Sequence, residues 1–516
     1  MDVQLENHRA IVRSISGLLL GTLVATLSTN ILATALPRIL PALHVSVSGY
    51  TWVVAVYVLL LTVSVPAWGR LTDLFDKKRL LETAFCIYMA GSIVAGCATS
   101  GWLLVAGRGM QGIGTGGLAA ISQIVLAAIL PPRQRGRYNG YSGAMFAIGT
   151  VSGPLVGGAL ASTPVLGWRA CFFAPLPFGL LALYMIHRNL KVPRAETTDR
   201  PPIDLKGLTL IVLAGGLLVG WLSLAGVEFR WVSATSAVLL LAAAVAAAGF
   251  AYVETRTAHP AIRLNLMASR PVALASGASF ICGAIAFDAP LFLAQLFQLG
   301  RGHTPFESGL YTLPMIAGIF TASWGIGRLI TATGRLRWFL LGGALIQTIG
   351  MLGLSAFGGG LHGAFFPLAA AMFTLGVGIG ILQQNVVIYI QSVVPRRDLG
   401  SGTAVLQFWR FLGGAVGVSA LGAFSASRVA SHVASGLTAV PPALRPKSDS
   451  AVPDLADLSA PARHVVQSAY ASSFQDVCLV LGLMSLLAIL ALSGLREIVL
   501  SNTIQTAAPP LEEVVE

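Results

Sequence analysis

The chain has 516 residues, of which 55% are hydrophobic and only 10% are charged, against about 25% charged in a soluble domain. So much apolar surface cannot be hidden in one core, which excludes an ordinary soluble protein. The formal net charge of +12 sits mostly in short gaps between apolar runs, where membrane topology accounts for it better than a nucleic-acid partner does.

A membrane-spanning helix takes about 20 mostly apolar residues. Runs of that kind fall at about 14–36, 48–69, 79–98, 102–129, 138–160, 168–187, 206–225, 232–252, 272–298, 308–330, 337–357, 363–388, 400–425 and 474–495. They predict an all-α integral membrane protein with about fourteen spans. Helices follow from the need to satisfy backbone polar groups inside each span. Ala33-Thr34-Ala35 resembles a signal-cleavage site, but the run before it is long and carries Ser28, Thr29 and Asn30, so it is read as the first span. The 57 glycines suit closely packed membrane helices. Five cysteines, Cys86, Cys97, Cys171, Cys282 and Cys478, lie in or beside apolar runs without metal or redox spacing.

Orientation follows from lysine and arginine. With the N-terminus in the cytoplasm, 23 of the 33 basic residues fall in inside segments and 7 in outside segments, and both termini are inside. The expected organisation is an N-terminal six-helix bundle (1–187), a cytoplasmic linker with two inserted helices (188–271), and a C-terminal six-helix bundle (272–516). A long external loop, helical in part, is expected at about 426–473.

Four motifs carry functional content. Gly69-Arg70-Leu71-Thr72-Asp73-Leu74-Phe75-Asp76-Lys77-Lys78-Arg79 closes the second run, and a degenerate copy, Gly327-Arg328-Leu329-Ile330-Thr331 with Gly334-Arg335-Leu336-Arg337, follows 258 residues later. That repeat supports a two-half transporter plan. Gly69, Asp73 and Arg79 are candidate gating residues, the acid being able to pair with the basic cluster. In the fourth run, Arg108-Gly109-Met110-Gln111-Gly112 sets a cation deep in apolar sequence, a costly placement that marks either function or a structural bond to carbonyls. The fifth run reads Gly149-Thr150-Val151-Ser152-Gly153-Pro154-Leu155-Val156-Gly157-Gly158. Its glycines four apart make a smooth face for a neighbouring helix. Asp288 is the acid nearest the middle of a span; it suits a proton or cation carrier, or a structural pair with Arg108 or Arg410.

The glycine–acid–basic loop resembles the signature loop of the major facilitator superfamily, with Asp76 where that family usually has glycine. Arg108-x-x-Gln111-Gly112 resembles the fourth-helix motif linked there to proton transfer. Gly149, Gly153, Pro154, Gly157 and Gly158 match the motif that marks antiporters. Trp52 with Tyr57, Gly167-Trp168-Arg169, Leu176-Pro177-Phe178-Gly179, Asp204-Leu205-Lys206-Gly207, Pro305 with Gly309, Leu313-Pro314 and Arg410-Phe411-Leu412-Gly413-Gly414 extend the likeness to the fourteen-helix drug:proton antiporter branch. One departure stands out. That branch usually carries an acid nine positions before the proline of Ala35-Leu36-Pro37, where this chain has Ser28, and a common asparagine is replaced by Ala33.

The resemblance implies a major-facilitator-type two-bundle fold with two additional central helices. It also implies a proton-coupled exporter of lipophilic or amphipathic small molecules in the plasma (cytoplasmic or inner) membrane. Asp288, Arg108 and Arg410 are the candidates for coupling. Ser28, Asn30, Gln111, Gln123, Gln383, Gln384, Asn385 and Gln407 are candidates for a central cavity, or for hydrogen bonds between helices. The expected partners are a small-molecule substrate, protons and lipid, with no nucleic acid. A periplasmic adaptor joins them if the source cell has two membranes. No cofactor or metal is expected, since the eight histidines lie in tails, loops or helix ends and no phosphate-binding loop is present. Alternatives in view are a dedicated exporter of a metabolite or siderophore, a non-transporting receptor or scaffold, and, third, a membrane enzyme.

Overall fold

A computed structural model describes residues 2–43, 47–161, 167–192, 204–226, 228–257, 264–359, 365–395, 398–437 and 458–500. The predicted linker lies largely outside these residues, as does 438–457 of the predicted external loop.

Among the described residues fourteen long helices follow one another: α1 (Asp2–Ala42), α2 (Val47–Leu74), α3 (Lys77–Gly96), α4 (Gly101–Ile129), α5 (Pro132–Ala161), α6 (Pro175–Asn189), α7 (Leu205–Leu224), α8 (Ala234–Arg256), α9 (Arg270–Gln295), α10 (Leu313–Thr333), α11 (Arg337–Phe357), α12 (Phe365–Val393), α13 (Leu399–Leu437) and α14 (Ala460–Ser493). Thirteen spans among the described residues are long and apolar enough to cross a membrane. The thirty-residue α5 brings the count to about fourteen. Leu and Phe side chains such as Leu180, Leu241, Leu487 and Phe366 are exposed on the bundle surface, as a lipid-facing wall requires.

The first six helices pack among themselves through α3–α4, α2–α4, α1–α5 and α1–α6. The last six pack through α10–α12, α11–α12, α9–α13, α11–α14 and α9–α14. The halves meet through two matched pairs, α2 with α13 and α5 with α10. Between them sit α7 and α8, which pack on each other, with α7 also against α2 and α13. Val219 and Leu222 of α7 join Val58, Leu59, Leu412 and Ala415 in one apolar cluster.

Helix ends are set by local chemistry. Asp76 accepts from the backbone N–H of Arg79 at 3.0 Å and so starts α3, which explains an acid at a turn where glycine would also serve. Ser100 and Ser233 cap α4 and α8, and Asp204 caps α7. Gly334 closes α10 at φ +70°, a conformation that favours glycine. Pro290 lies inside α9 and leaves the Ala286 carbonyl without its helical donor.

The segment expected at 426–473 to be helical in part is helical at both of its ends. Helix α13 continues to Leu437 and α14 begins at Ala460. The two extensions form a hairpin stalk tied by Arg428 to Asp476 at 2.6 Å and by the Ser425 and Ser473 hydroxyls at 2.8 Å. Val433 packs there on Ala462 and Val466.

Candidate functional site

The polar contacts between the halves gather at the end that holds the basic loops. Asp73, at the last turn of α2, accepts from Gly400 N–H at 2.8 Å, Ser401 N–H at 3.0 Å and Ser401 Oγ–H at 2.6 Å. These groups open α13, so a carboxylate of one half caps a helix of the other, where the helix dipole favours negative charge. Glycine permits the approach: a Cβ on Gly69 would collide with Ala404 Cβ and lie 2.9 Å from the Gly400 carbonyl. Arg70 and Lys77 are the cations facing Asp73. Arg79 does not join them. Its side chain is exposed, without a hydrogen bond or ion pair among the described residues, and only its backbone is used, on Asp76. Pairing of the acid with this member of the basic cluster is thereby corrected, because the helix N-terminus already supplies three donors.

The degenerate repeat makes the opposite arrangement. Arg133, at the start of α5, donates to the carbonyls of Thr331 and Ala332 at 2.7 and 2.6 Å, placing a cation on the last turn of α10. Gly136 and Gly327 lie backbone to backbone. Above these contacts, Gln123 Nε2 donates to Gln384 Oε1 at 2.8 Å, and Gln391 donates to the Gln123 carbonyl at 3.1 Å. Arg135 joins this layer through Gln391 Oε1 at 3.4 Å and closes α4 through the Ala127 carbonyl at 2.8 Å. Sequence reading assigned Arg133 and Arg135 to topology alone. Their spacing from the end of α4 was the available signal for a role at a helix terminus.

Inside the first half, Arg108 is buried. It donates to Gln111 Oε1 at 2.8 Å and lies 3.9 Å from the centre of the Tyr57 ring. Gln111 donates onward to Ser92 Oγ at 2.7 Å. Ser28 hydrogen-bonds the Tyr88 hydroxyl, and Thr29 meets the Tyr57 hydroxyl at 2.9 Å. This network links α1, α2, α3 and α4. Tyr88 and Ser92 were not among the predicted site residues.

In the second half, Arg410 donates to the Gln383 carbonyl and to Gln407 Oε1, both at 3.0 Å. It lines a cavity of about 10 Å³ with Cys282, Gln347 and Gln383, room for about one water. Asp288 is fully buried, and neither carboxylate oxygen has a hydrogen-bond partner. Its Oδ2 occupies the space that a Cβ on Gly417 of α13 would need. Its helix neighbours Ala284, Ile285, Ala289 and Phe292 belong to an apolar cluster with Leu421, Val477 and Leu481. The structural pairing of Asp288 with Arg108 or Arg410, one of the readings of the sequence, is absent: each arginine is bound to glutamine or carbonyl oxygens instead.

The glycine face of α5 packs on α1. A Cβ on Gly149 would lie 2.9 Å from Thr26 Cβ, and one on Gly153 would collide with Asn30 Cβ. Gly157 is buried, and its carbonyl faces Cys171 Sγ at 3.8 Å. Pro154 and Gly158 lie within α5, but their surroundings fall outside the described residues. Two cavity candidates, Asn30 and Asn385, donate to carbonyls of their own helices, Thr26 at 2.8 Å and Ile381 at 2.6 Å. Among the described residues no group of three His, Cys, Asp or Glu side chains is placed to hold a metal.

Two six-helix bundles related by a repeat, joined through two matched helix pairs and carrying buried charges, define a membrane transporter. The chain belongs to the Major Facilitator Superfamily, whose family profile matches residues 18–212 and again 203–418. It is 31% identical over 493 residues to an uncharacterized MFS-type transporter of Mycobacterium tuberculosis, covering 94% of this chain and 70% of that protein. It is 30% identical over 417 residues to the efflux pump dotC of Dothistroma septosporum, covering 80% and 70%. The fold is that of the proton:xylose symporter XylE, with a TM-score of 0.61 at 13% identity over 92% of this chain and 95% of that one.

Proposed function

We propose that the protein is a proton-coupled exporter of lipophilic or amphipathic small molecules, an antiporter working by alternating access between its two bundles. The observation that carries this reading is Asp288, an acid fully buried in α9 with no hydrogen-bond partner on either oxygen. An ionised carboxylate without a partner is costly in a membrane interior. Its charge has to be cancelled by a proton or by a cation, and a proton needs no cavity around the group. The glycine face of α5 against α1 supports the antiporter reading, as does similarity to a protein named as an efflux pump.

Alternating access requires a closed end that can open. The Asp73 cap on α13 and the Arg133 cap on α10 hold the basic end shut with a few charge-assisted hydrogen bonds. Such bonds can be exchanged for water without unpacking either bundle. Coupling follows if protonation of Asp288 favours one access state over the other, since a proton bound equally in both shifts nothing.

The test is drug-susceptibility profiling in an efflux-deficient host with an empty-vector control, followed by substrate accumulation in everted vesicles under an imposed pH gradient. Gradient-driven accumulation supports the proposal. Movement that ignores the gradient removes proton coupling, and absence of any transported compound favours a receptor or scaffold.

A further inference from the structure

We propose that the polar cluster around Arg108 seats the anionic group of a substrate, so that this transporter prefers organic anions carrying a carboxylate, sulfonate or phosphate on an apolar body. The proposal rests on the export reading above and names its substrate class.

The cluster is cationic, and among the described residues no acid faces it to cancel that charge. Arg108 lies in α4, nine-tenths or more buried, and its Nε has no hydrogen-bond partner. The ionisable groups that face it are the phenols of Tyr57 and Tyr88, with no carboxylate among the described residues. Its one side-chain acceptor is the neutral Gln111 amide. The remaining members, Ser28, Thr29, Tyr57 and Tyr88, are hydroxyls, each able to turn a proton toward an anion. Thr29 is exposed and forms the rim of the cluster between α1 and α2. An unpaired buried guanidinium is costly, and a ligand that brings the missing charge recovers that cost.

The second half does not neutralise the first. Arg410 is held by a carbonyl and by the Gln407 amide oxygen, and Cys282 is the ionisable group facing it. Asp288 is turned into the apolar cluster against Gly417 and meets neither arginine. Among the described residues, Arg108 and Arg410 are therefore cations in the membrane interior without acid partners. In a medium of low dielectric constant that field attracts an anionic head group and repels a cationic one.

The test uses purified protein and three dyes. 8-Anilinonaphthalene-1-sulfonate and N-phenyl-1-naphthylamine share an aromatic body and differ by the sulfonate; ethidium supplies the cation. Equilibrium binding is measured in detergent without a gradient, and transport is measured in proteoliposomes with one. The wild type is expected to bind the sulfonate about tenfold or more tightly than the neutral dye. Arg108→Gln collapses that ratio, Arg108→Lys keeps part of it, and Ser28→Asp shifts preference toward ethidium. Equal binding of the matched pair, or a preference for ethidium in the wild type, overturns the proposal. So does displacement of the sulfonate preference when gluconate is replaced by chloride, which would make the seat a chloride site. Binding with the expected preference but no gradient-driven transport leaves the anion seat standing and removes the export reading. Should Arg108→Gln not yield folded protein, the lysine variant and the Ser28→Asp shift decide the matter.

Discussion

The carboxylate of Asp73 receives both the backbone N–H and the hydroxyl of Ser401, 328 residues away, and in doing so joins the end of α2 to the start of α13. A single side chain thus couples the two bundles through a helix terminus. The contact depends on charge, on the oriented N–H groups of α13, and on Gly69, which lets the backbones meet.

Asp73→Asn removes the charge while keeping the size. Hydrogen bonds to a charged group are worth about 1.5–3 kcal/mol, so the closed basic end is expected to lose roughly tenfold or more in population. Spin labels at Arg79 and Thr333, both exposed at that end, should report longer and broader distances by electron–electron resonance. An unchanged distribution would show that the cap does not hold the gate.

Replacing Gly153 by leucine tests the α1–α5 contact. An apolar side chain leaves insertion unaffected, but the space is already filled by Asn30, and overpacking of this kind costs about 1–3 kcal/mol or more. The expected outcome is normal amount in the membrane with export lost. Normal efflux from Gly153→Leu would detach the glycine face from function.

Much of this architecture was legible in the sequence, and the rest was hidden for definable reasons. The spans could be read because length and apolarity are one-dimensional properties. Partial helix between α13 and α14 was expected, but its bounds, α13 to Leu437 and α14 from Ala460, could not be read, because they lie beyond the apolar runs and the two helices are tied at the base of the hairpin through Ser425, Ser473, Arg428 and Asp476. Asp288 was found by its depth in a run. Its separation from Arg108 and Arg410 was not, since depth does not give the face of the helix. The cap on α13 was invisible for a different reason: two of the donors to Asp73 are backbone groups, and backbone groups leave no mark in a sequence. Asn30 and Asn385 were natural cavity candidates, yet each bonds a carbonyl one turn back, a local option always open to asparagine.

Charge bias predicts that both termini and the 188–205 segment face the cytoplasm and that the segment between α13 and α14 is external. In a cysteine-free background, Ser450→Cys should react with a membrane-impermeant maleimide in whole cells, and Thr198→Cys only after permeabilisation. Both positions lie outside the described residues, so the labelling tests topology directly. The reverse pattern would invert the assignment of the Asp73 gate to the cytoplasmic side.

In the mechanism proposed above, coupling turns on Asp288. Ser28 is not ionisable in the working pH range and is bonded to Tyr88, whereas Asp288 is a buried acid with two unpartnered oxygens. Asp288→Asn matches the neutral acid in size and hydrogen bonding and removes the need for a proton. The variant is expected to let substrate equilibrate down its own gradient and to lose uphill accumulation in everted vesicles. The difference should disappear when the pH gradient is collapsed, because the wild type then also loses its driving force. Gly417→Ala supplies an independent arm: its Cβ would enter the space held by Asp288 Oδ2, so the carboxyl has to move, and coupling should weaken although the acid remains. If Asp288→Asn accumulates substrate like the wild type and still responds to the gradient, the proton travels elsewhere. The remaining options would then be Asp73 at the gate, Glu307 near the opposite end, or no proton coupling at all.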